Sequence, residues 1–201
     1  MNLYGLSGSA NSGKDSASDY IVYKSGFVKI AFADKIKRML MHLYGFEYNQ
    51  LWGESDERAK IDPRYGKPVR EFIQGFGDQG RALDINTWVN YAQAIINKIK
   101  NVDNYYYVNY HGIMFDGKSN RKSVIVPDCR YLNELEYIKQ AGGVRIRIIR
   151  PNSKIKGKLG QHSSETDQEE ISNDFFDEII INDGSLEDLH SKIDTILLKY
   201  Q

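Results

Sequence analysis

The amino-acid sequence predicts an α/β fold in which a parallel β-sheet is flanked by helices. Short apolar segments with the length of strands alternate with longer segments whose apolar residues recur at helical spacing. The strand-like segments are mostly continuous apolar runs, as expected of strands that are covered on both faces. Strands that alternate with helices are joined by right-handed crossovers, and they therefore build a parallel sheet.

Five segments carry the strand pattern. The first, Leu3-Tyr4-Gly5-Leu6, leads directly into a glycine-rich loop, and the third, Val124-Ile125-Val126, is followed shortly by an acidic residue. The predicted strands cover residues 2–7, 27–32, 124–127, 144–149 and 178–181.

The segments between these strands carry helix signals. Asp34 is a predicted N-cap, because its carboxylate can accept a hydrogen bond from a backbone N–H of the first turn. Pro68 is suited to a helix start, where its missing N–H costs nothing. Five helices are predicted. The first follows the glycine-rich loop, the second runs from Asp34 to Tyr44, and the third begins at Pro68. The fourth passes through Trp88 to Ile99, and the fifth begins at Ser185.

Two stretches lack a helical period. Residues 101–122 are rich in Tyr, Gly and Asn and predict a β-hairpin with its turn near Asp116-Gly117. Residues 150–167 contain three lysines and two glycines and include His162. A charged run of this kind is usually a solvated loop, and beside a phosphate site it can also be a closing lid.

Composition limits the class of protein. The chain has 201 residues, enough for one domain with a substantial core, and we expect a single domain over residues 1–201. Its 27 basic and 27 acidic residues balance, which argues against a nucleic-acid-binding role. The single cysteine, Cys129, excludes an internal disulfide and fits a reducing compartment. With no membrane-spanning segment in the sequence, we expect a soluble cytoplasmic protein.

The glycine-rich loop has the spacing G-x-x-x-x-G-K of a phosphate-binding loop (P-loop). Gly8 and Gly13 allow the backbone to fold around an anion with its N–H groups pointing inward, at the N-terminus of a helix. Lys14 is placed to reach the outer phosphates of a nucleotide. The alternative is a Gly/Ser surface turn. The residues assigned to nucleotide binding are Gly8, Asn11, Ser12, Gly13, Lys14, Asp15 and Ser16.

Asp15 stands where a P-loop normally has the Ser or Thr that binds Mg²⁺. A carboxylate can hold Mg²⁺, although it also repels the phosphates, and Ser16 can supply the hydroxyl. Asp128, after an apolar strand, is the second expected metal partner, because acidic residues at such strand ends handle Mg²⁺ in P-loop proteins. Arg130 is suited to bidentate phosphate binding, and the alternative for it is a salt bridge to Glu134 or Glu136.

These motifs and their order resemble the bacteriophage deoxynucleoside monophosphate kinases. The similarity extends through nearly the whole chain. It is carried by Gly-x-x-x-x-Gly-Lys-Asp-Ser at residues 8–16, Ala33-Asp34-Lys35-Ile36-Lys37, Arg70, Gln74, Gly77, Trp88-Val89, Val126-Pro127-Asp128-Cys129-Arg130, Asn133-Glu134, Arg150-Pro151, His162-Ser163-Ser164-Glu165 and Asn182-Asp183-Gly184-Ser185-Leu186. Lys35 differs from the proline expected there, and residues 44–67 carry no motif of the family.

The resemblance implies a P-loop kinase fold with an acceptor-binding helical region over residues 34–100 and a mobile lid over residues 150–167. It implies Mg²⁺-dependent transfer of the γ-phosphoryl group of ATP to a deoxynucleoside monophosphate, in the supply of precursors for DNA synthesis. The partners are then small molecules, and the oligomeric state stays open, a homodimer included. The implied catalytic residues are Lys14, Asp128, Arg130 and Arg150; the implied metal partners are Asp15, Ser16 and Asp128; the implied acceptor residues are Lys37, Arg70, Gln74, Trp88, Asp128, Arg130 and Glu134.

Two other functions fit parts of the pattern. Phosphomevalonate kinases share the Gly-Lys-Asp sequence and a His-x-Ser-Glu-like element, but an aromatic wall around Trp88 favours a base over an isoprenoid phosphate. A P-loop module that only senses nucleotide would not need several arginines for a second phosphate. Trp88 also begins an apolar helical stripe, so packing in the core is the alternative for this residue.

Overall fold

The computed structural model describes residues 2–101, 123–151, 168 and 170–200, together with the backbone of residues 105–108 and 112–115. The chain forms two compact units: Met1–Ala31 with Ala92–Gln201, called the first unit here, and Phe32–Tyr91, the second unit. The single domain over residues 1–201 stays a prediction.

The elements follow one another in the predicted alternation. In chain order they are β1 (Leu3–Ser7), α1 (Lys14–Ser25), β2 (Val28–Lys29), α2 (Asp34–Tyr44), α3 (Tyr48–Trp52), α4 (Ser55–Ala59), β3 (Ile61–Asp62), β4 (Lys67–Pro68), α5 (Val69–Leu83), α6 (Thr87–Asn101), β5 (Tyr105–Val108), β6 (Gly112–Phe115), β7 (Val124–Val126), α7 (Leu132–Gln140), β8 (Val144–Ile149), a 3-10 turn (Asn173–Phe175), β9 (Glu178–Ile181) and α8 (Leu186–Lys199).

The first unit is built on a five-stranded sheet in the order β2-β7-β1-β8-β9, and every neighbouring pair is parallel. The predicted fold class, a parallel sheet flanked by helices, is therefore confirmed. Strand β7 ends at Val126, one residue before the predicted end, because Pro127 has no N–H to donate to a neighbouring strand. Strand β2 is much shorter than predicted, because the chain leaves the sheet edge after Ile30 donates its N–H to the carbonyl of Ile125.

Helices cover both faces of this sheet. On one face Tyr4 and Leu6 of β1 pack in a buried cluster with residues of α1 and α8. On the other face a Cβ atom at Gly5 would lie 2.8 Å from Cγ1 of Ile138 in α7. Since both faces are buried, both sets of strand residues must be apolar or small, which explains the continuous apolar runs in the sequence.

The predicted hairpin is present, but its predicted turn is wrong. Strands β5 and β6 are antiparallel, with Tyr105 opposite Phe115 and Val108 opposite Gly112, so they are joined across residues 109–111 and not near Asp116-Gly117. The β-prone Ile-Met-Phe sequence that follows Gly112 forms the second strand. The lid predicted over residues 150–167 lies outside the described residues except for Arg150 and Pro151, and so does His162.

The second unit is mainly helical. It contains helices α2 to α5 and the antiparallel pair β3–β4. A group of aromatic rings packs between α2 and α5, with neighbouring centroids 4.9–6.0 Å apart, and is made by Tyr44, Phe46, Tyr65, Phe72 and Phe76. Pro68 directly precedes α5 as predicted. The predicted capping role of Asp34 is wrong: Asp34 is already the first residue of α2, and its carboxylate accepts a hydrogen bond of 3.0 Å from the indole of Trp52.

Within the described residues, none of the helices combines the length and the apolar character needed to cross a bilayer.

Candidate functional site

The order of the strands in the first unit defines where a ligand can bind. Strand β1 lies between β7 and β8. From β1 the chain builds β2 and β7 on one side and then β8 and β9 on the other, so the strand order reverses at β1. In open parallel sheets such a point leaves a crevice beyond the carboxyl ends of the strands. The residues that follow these ends are Gly8 after β1, Asp128 after β7, Arg150 after β8 and Asn182 after β9.

The predicted P-loop runs from the end of β1 at Ser7 to the start of α1 at Lys14. Gly8 has a φ of 149°, and a Cβ atom there would lie 2.2 Å from the carbonyl oxygen of Ile148. Gly13, with a φ of 103°, occupies the N-cap position of α1. Both glycines are therefore required by backbone conformation or by space, which is the physical reason for the motif's spacing.

Polar groups inside the loop fit an anion. The ammonium of Lys14 is buried and donates to the carbonyl oxygens of Gly8 and of Ser9, the latter at 2.7 Å. The hydroxyl of Ser12 is buried and has no hydrogen-bond partner among the described residues. A loop with an orphaned hydroxyl, a lysine and the N–H groups of a helix N-terminus has the donors that a phosphate group needs.

Candidate oxygen ligands for a cation lie at the start of α1 and after β7. Asp15 and Ser16 are exposed in the first turn of α1, and Asp128 is half-buried just after β7. Across the described ranges, no three His, Cys, Asp or Glu side chains come together as a metal cluster. Carboxylates and a hydroxyl that share Mg²⁺ with phosphate oxygens and water need no such cluster, so this donor set fits a nucleotide-bound Mg²⁺.

The loop after β7 is fixed to the end of β1. The N–H of Cys129 donates to the carbonyl of Leu6 at 3.0 Å, and the Cys129 side chain is fully buried. Burial raises the pKa of the Cys129 thiol well above its usual value, so the group stays a thiol and acts as an anchor. Asp128 and Arg130 flank this anchor, and their backbone is therefore held beside the P-loop.

Glu134 organises the same loop. One of its carboxylate oxygens accepts hydrogen bonds from the backbone N–H groups of Arg130 at 2.7 Å and Tyr131 at 3.1 Å, at the start of α7. Its side chain is buried. Glu134 was predicted to contact the acceptor, and the structure gives it at least a second task, the shaping of the backbone that carries Arg130.

A groove of about 280 Å³ adjoins the start of α1. Asn182, on its wall, donates from Nδ2 to the carbonyl of Ser12 at 2.9 Å, and its own N–H donates to the carbonyl of Ile149 at 2.7 Å. The groove adjoins the P-loop at Gly13 and reaches Arg150 at the end of β8. Its lining residues are Gly13, Ser16, Arg150, Asn182, Gly184, Ser185, Leu186 and Leu189.

Gln168 is a site residue that sequence reasoning missed. Its side chain is buried and donates from Nε2 to the hydroxyl of Ser7 at 2.8 Å and to the carbonyl of Cys129 at 3.3 Å. It thus touches the residues that adjoin Gly8 and Asp128. No local motif surrounds Gln168, and its partners lie far away in the sequence, so only a contact map could have found it.

Four predicted acceptor residues lie in the second unit, namely Lys37, Arg70, Gln74 and Trp88. Arg70 donates from Nη2 to the carbonyl and the hydroxyl of Ser55, at 3.1 and 2.5 Å. Gln74 lies one turn further along α5, on the same face as Arg70. The ammonium of Lys37 lies 5.5 Å from the ring centroid of Trp52, a residue that the sequence left without a role. Such a contact orients the lysine through a cation–π interaction.

Trp88 is buried, as expected for packing in the core, the alternative to base stacking for this residue. Its indole is 7% exposed and donates to the carbonyl of Gly77 at 3.0 Å. A Cβ atom at Gly80 would lie 2.3 Å from Cζ2 of the indole, so the ring presses against the glycine face of α5. A ring buried in this way leaves little surface on which a base could stack.

This chain is similar to several known kinases. A family model described as deoxynucleotide monophosphate kinase matches residues 91–193. A putative deoxynucleotide monophosphate kinase of Acanthamoeba polyphaga mimivirus is 28% identical over 196 residues, which cover 96% of this chain and 94% of that protein. The deoxynucleotide monophosphate kinase of Enterobacteria phage T4 is 26% identical, covering 98% of this chain and 99% of its own. Among solved structures, a dephospho-CoA kinase from Campylobacter jejuni aligns with 100% of this chain and 97% of its own at 17% identity and a TM-score of 0.48.

Proposed function

Because the chain belongs to the deoxynucleotide monophosphate kinase family, we propose that it transfers the γ-phosphoryl group of ATP to the 5′-phosphate of a deoxynucleoside monophosphate. An oxygen of the acceptor phosphate bonds to the γ-phosphorus, the bond from that phosphorus to the β,γ-bridging oxygen breaks, and ADP leaves. The products are ADP and a deoxynucleoside diphosphate, a precursor for DNA synthesis. The proposal rests on the P-loop, which follows β1 at the point where the strand order reverses. The ammonium of Lys14 donates to a carbonyl of this loop.

The triphosphate of ATP is assigned to the P-loop. The orphaned hydroxyl of Ser12 and the N-terminus of α1 supply the donors. The ammonium of Lys14 already lies among the loop carbonyls, and a rotation of its flexible side chain brings it to the outer phosphates. The adenosine is assigned to the groove beside Asn182 and Arg150.

The residues that stabilise the transferred group carry charge. Phosphoryl transfer needs positioning and charge neutralisation more than it needs a base. Arg130 and Arg150 are suited to binding phosphate oxygens in transit, because a guanidinium offers several donors in a plane. Mg²⁺, when bound, neutralises charge on the outer phosphates, and Asp15, Ser16 and Asp128 would hold it or its waters.

Acceptor binding in the second unit is assigned to Lys37, Arg70 and Gln74. The two cations would bind the dianionic phosphate, and the contacts of Arg70 with Ser55 and of Lys37 with Trp52 would restrict their side chains beforehand. Such restriction reduces the entropy lost on binding. In the first unit Arg130 is assigned to the acceptor phosphate and Glu134 to its sugar and base. Trp88 is assigned to packing.

The test is an assay of ADP release with ATP, Mg²⁺ and a panel of acceptors. The panel contains the deoxynucleoside monophosphates, the corresponding ribonucleotides and mevalonate phosphate. We expect turnover with at least one deoxynucleoside monophosphate and a loss of orders of magnitude in kcat for Lys14→Met, since charge at the β- and γ-phosphates is removed. Lys24→Met is the matched control, because Lys24 pairs with Asp194 at the far end of the same helix. Turnover with mevalonate phosphate alone, or wild-type kcat for Lys14→Met, would contradict the proposal.

A further inference from the structure

We propose that Gln168 is a positioning residue for phosphoryl transfer, which holds the start of the P-loop and the Asp128–Arg130 loop in one fixed register. The inference rests on the kinase function proposed above. Gln168 itself is assigned no contact with the nucleotide or the acceptor.

The geometry of the carboxamide carries the inference. The two hydrogens on Nε2 point to different loops: one bond of 2.8 Å goes to the Ser7 hydroxyl and one of 3.3 Å goes to the Cys129 carbonyl. Ser7 directly precedes Gly8, and Cys129 lies between Asp128 and Arg130. All three side chains are buried, with Gln168 only 2% exposed, so no water competes for these bonds.

The two loops are assigned to different substrates. The P-loop is assigned to the phosphates of ATP, and the loop around Cys129 carries an arginine assigned to the acceptor phosphate. In-line transfer depends on the distance and angle between these two phosphates, and a misplacement of about 1 Å can lower a rate about 100-fold. A side chain that bridges both loops therefore acts on the rate when both substrates are bound.

The backbone that carries Gln168 is itself anchored to the sheet. The guanidinium of Arg147 donates from Nη2 to the carbonyl of Gln168 at 3.1 Å and from Nη1 to the carbonyl of Ile171 at 2.6 Å. Arg147 on β8 is the register partner of Ser7 on β1. The backbone of Gln168 is thus bonded to β8, which pairs with β1, the strand that leads into the P-loop. The carboxamide therefore reaches the two loops from a fixed backbone.

The test replaces Gln168 with leucine, which has similar volume and no donors. Wild-type and variant protein are compared for kcat and for KM of both substrates. Nucleotide-binding sites are counted by calorimetric titration with a non-hydrolysable ATP analogue, and kcat is expressed per site, so that an unfolded fraction does not count as lost activity. We expect kcat per site to fall about tenfold or more, with both KM values within about threefold of wild type.

Two further variants separate positioning from general stability. Asn173→Ala removes a 2.9 Å bond to Arg147 in the same segment but touches neither loop, and we expect it to keep wild-type kcat. Ser7→Ala removes one of the two bridging bonds and leaves Gln168 in place. We expect a smaller loss of kcat per site, and this variant decides the matter if Gln168→Leu does not fold.

The outcomes distinguish this inference from the proposed function. If the wild-type protein phosphorylates no acceptor, the proposed function fails, and the inference with it. If the wild type is active, wild-type kcat per site in Gln168→Leu, or in Ser7→Ala where the leucine variant is unfolded, overturns the positioning role alone. An equal loss of kcat per site in Asn173→Ala would also overturn it, because the effect would then come from the segment as a whole.

Discussion

Asn182 donates from its side-chain amide to the backbone carbonyl of Ser12 at 2.9 Å, across a separation of 170 residues. The bond is buried, and it ties the loop after β9 to the last turn of the P-loop. A Cβ atom at Gly13 would lie 2.5 Å from the same amide nitrogen, so the glycine of the motif makes room for this tie as well as for the helix start. The P-loop is thus held in shape from a strand two positions away in the sheet.

Replacing Asn182 with alanine should therefore weaken ATP binding. The buried Ser12 carbonyl would lose its partner, at a cost of about 1–3 kcal/mol, and the loop would have to be ordered by the nucleotide itself. We expect KM for ATP to rise about tenfold, equivalent to about 1.4 kcal/mol, with little change in KM for the acceptor. Steady-state kinetics with each substrate varied in turn measures this. Asn90→Ala is the control, since the Asn90 amide donates to the exposed carboxylate of Asp84. An unchanged KM for ATP in Asn182→Ala would count against the tie.

Asp15→Ala should change the metal requirement. If Asp15 shares the binding of Mg²⁺ with Ser16, its removal should raise the Mg²⁺ concentration for half-maximal rate several-fold, while KM for the acceptor stays near wild type. Asp19→Ala is the matched control on the same helix, because Asp19 pairs with Lys29. Titrations of the rate with Mg²⁺ at fixed ATP give the result. Superimposed curves for Asp15→Ala and wild type would make Asp15 an acidic residue that favours the helix N-terminus and nothing more.

The assigned arginines should govern acceptor affinity. Arg70→Ala and Arg130→Ala each remove a charge-assisted hydrogen bond to phosphate worth roughly 1.5–3 kcal/mol, so KM for the monophosphate should rise at least about tenfold. Arg81→Ala serves as the control for Arg70, since it lies three turns further along α5 and pairs with Asp78. An acceptor KM that is the same for Arg70→Ala and Arg81→Ala would remove Arg70 from the acceptor site.

The sequence predicts the parts of this protein whose signals are local. The P-loop is a run of eight consecutive residues. Each glycine in it is required by a positive φ angle and by neighbouring atoms that leave no room for a Cβ atom. The strands β8 and β9 agree with their predicted bounds because an apolar run between turns is a local pattern. The short β2 differs, because the length of an edge strand depends on where its neighbour lies.

Gln168 and Trp52 have no such local signal. Their roles come from partners 161 and 18 residues away, and an isolated Gln or Trp is typical of an ordinary surface or core residue. Asn182 belongs to a local block of the family resemblance, but that block does not predict its hydrogen bond to Ser12, 170 residues away. Trp88 shows the opposite difficulty. A tryptophan at the start of an apolar stripe satisfies both the packing and the stacking pattern, and only the contact with the glycine face of α5 separates them.

Two glycines of α5 provide a matched test of the packing of Trp88. A methyl group at Gly80 would lie 2.3 Å from the indole, whereas one at Gly75 would meet nothing within 4 Å. Gly80→Ala should lower the free energy of unfolding by about 1–3 kcal/mol through overpacking. Gly75→Ala should raise it by about 0.4–1 kcal/mol, because alanine favours the helix. Urea denaturation of both variants measures the difference. Equal or increased stability in Gly80→Ala would show that the indole does not pack there.

The pair Arg145–Asp177 should make stability depend on pH. Asp177 accepts three hydrogen bonds from Arg145, from the backbone N–H at 2.8 Å, from Nε at 3.0 Å and from Nη2 at 2.8 Å, and the arginine side chain is buried. The hydrogen bonds from the Arg145 guanidinium hold the pKa of the Asp177 carboxyl below its ordinary value of 3.8.

A carboxyl group whose pKa is lower in the folded state than in the unfolded state stabilises the fold above the unfolded pKa. The contribution is lost as the pH falls from about 4 through the lower, folded value. Asp177→Asn should therefore reduce the free energy of unfolding by about 1–2 kcal/mol at pH 7, a figure that allows for the exposed third of the carboxylate. Urea denaturation from pH 7 down to pH 2.5 should show the difference from wild type shrinking once the pH falls below 4. Asp174→Asn, at an exposed position in the neighbouring turn, is the control. A difference between Asp177→Asn and wild type that stays constant over the whole range would mean that the charge of Asp177 does not contribute to stability.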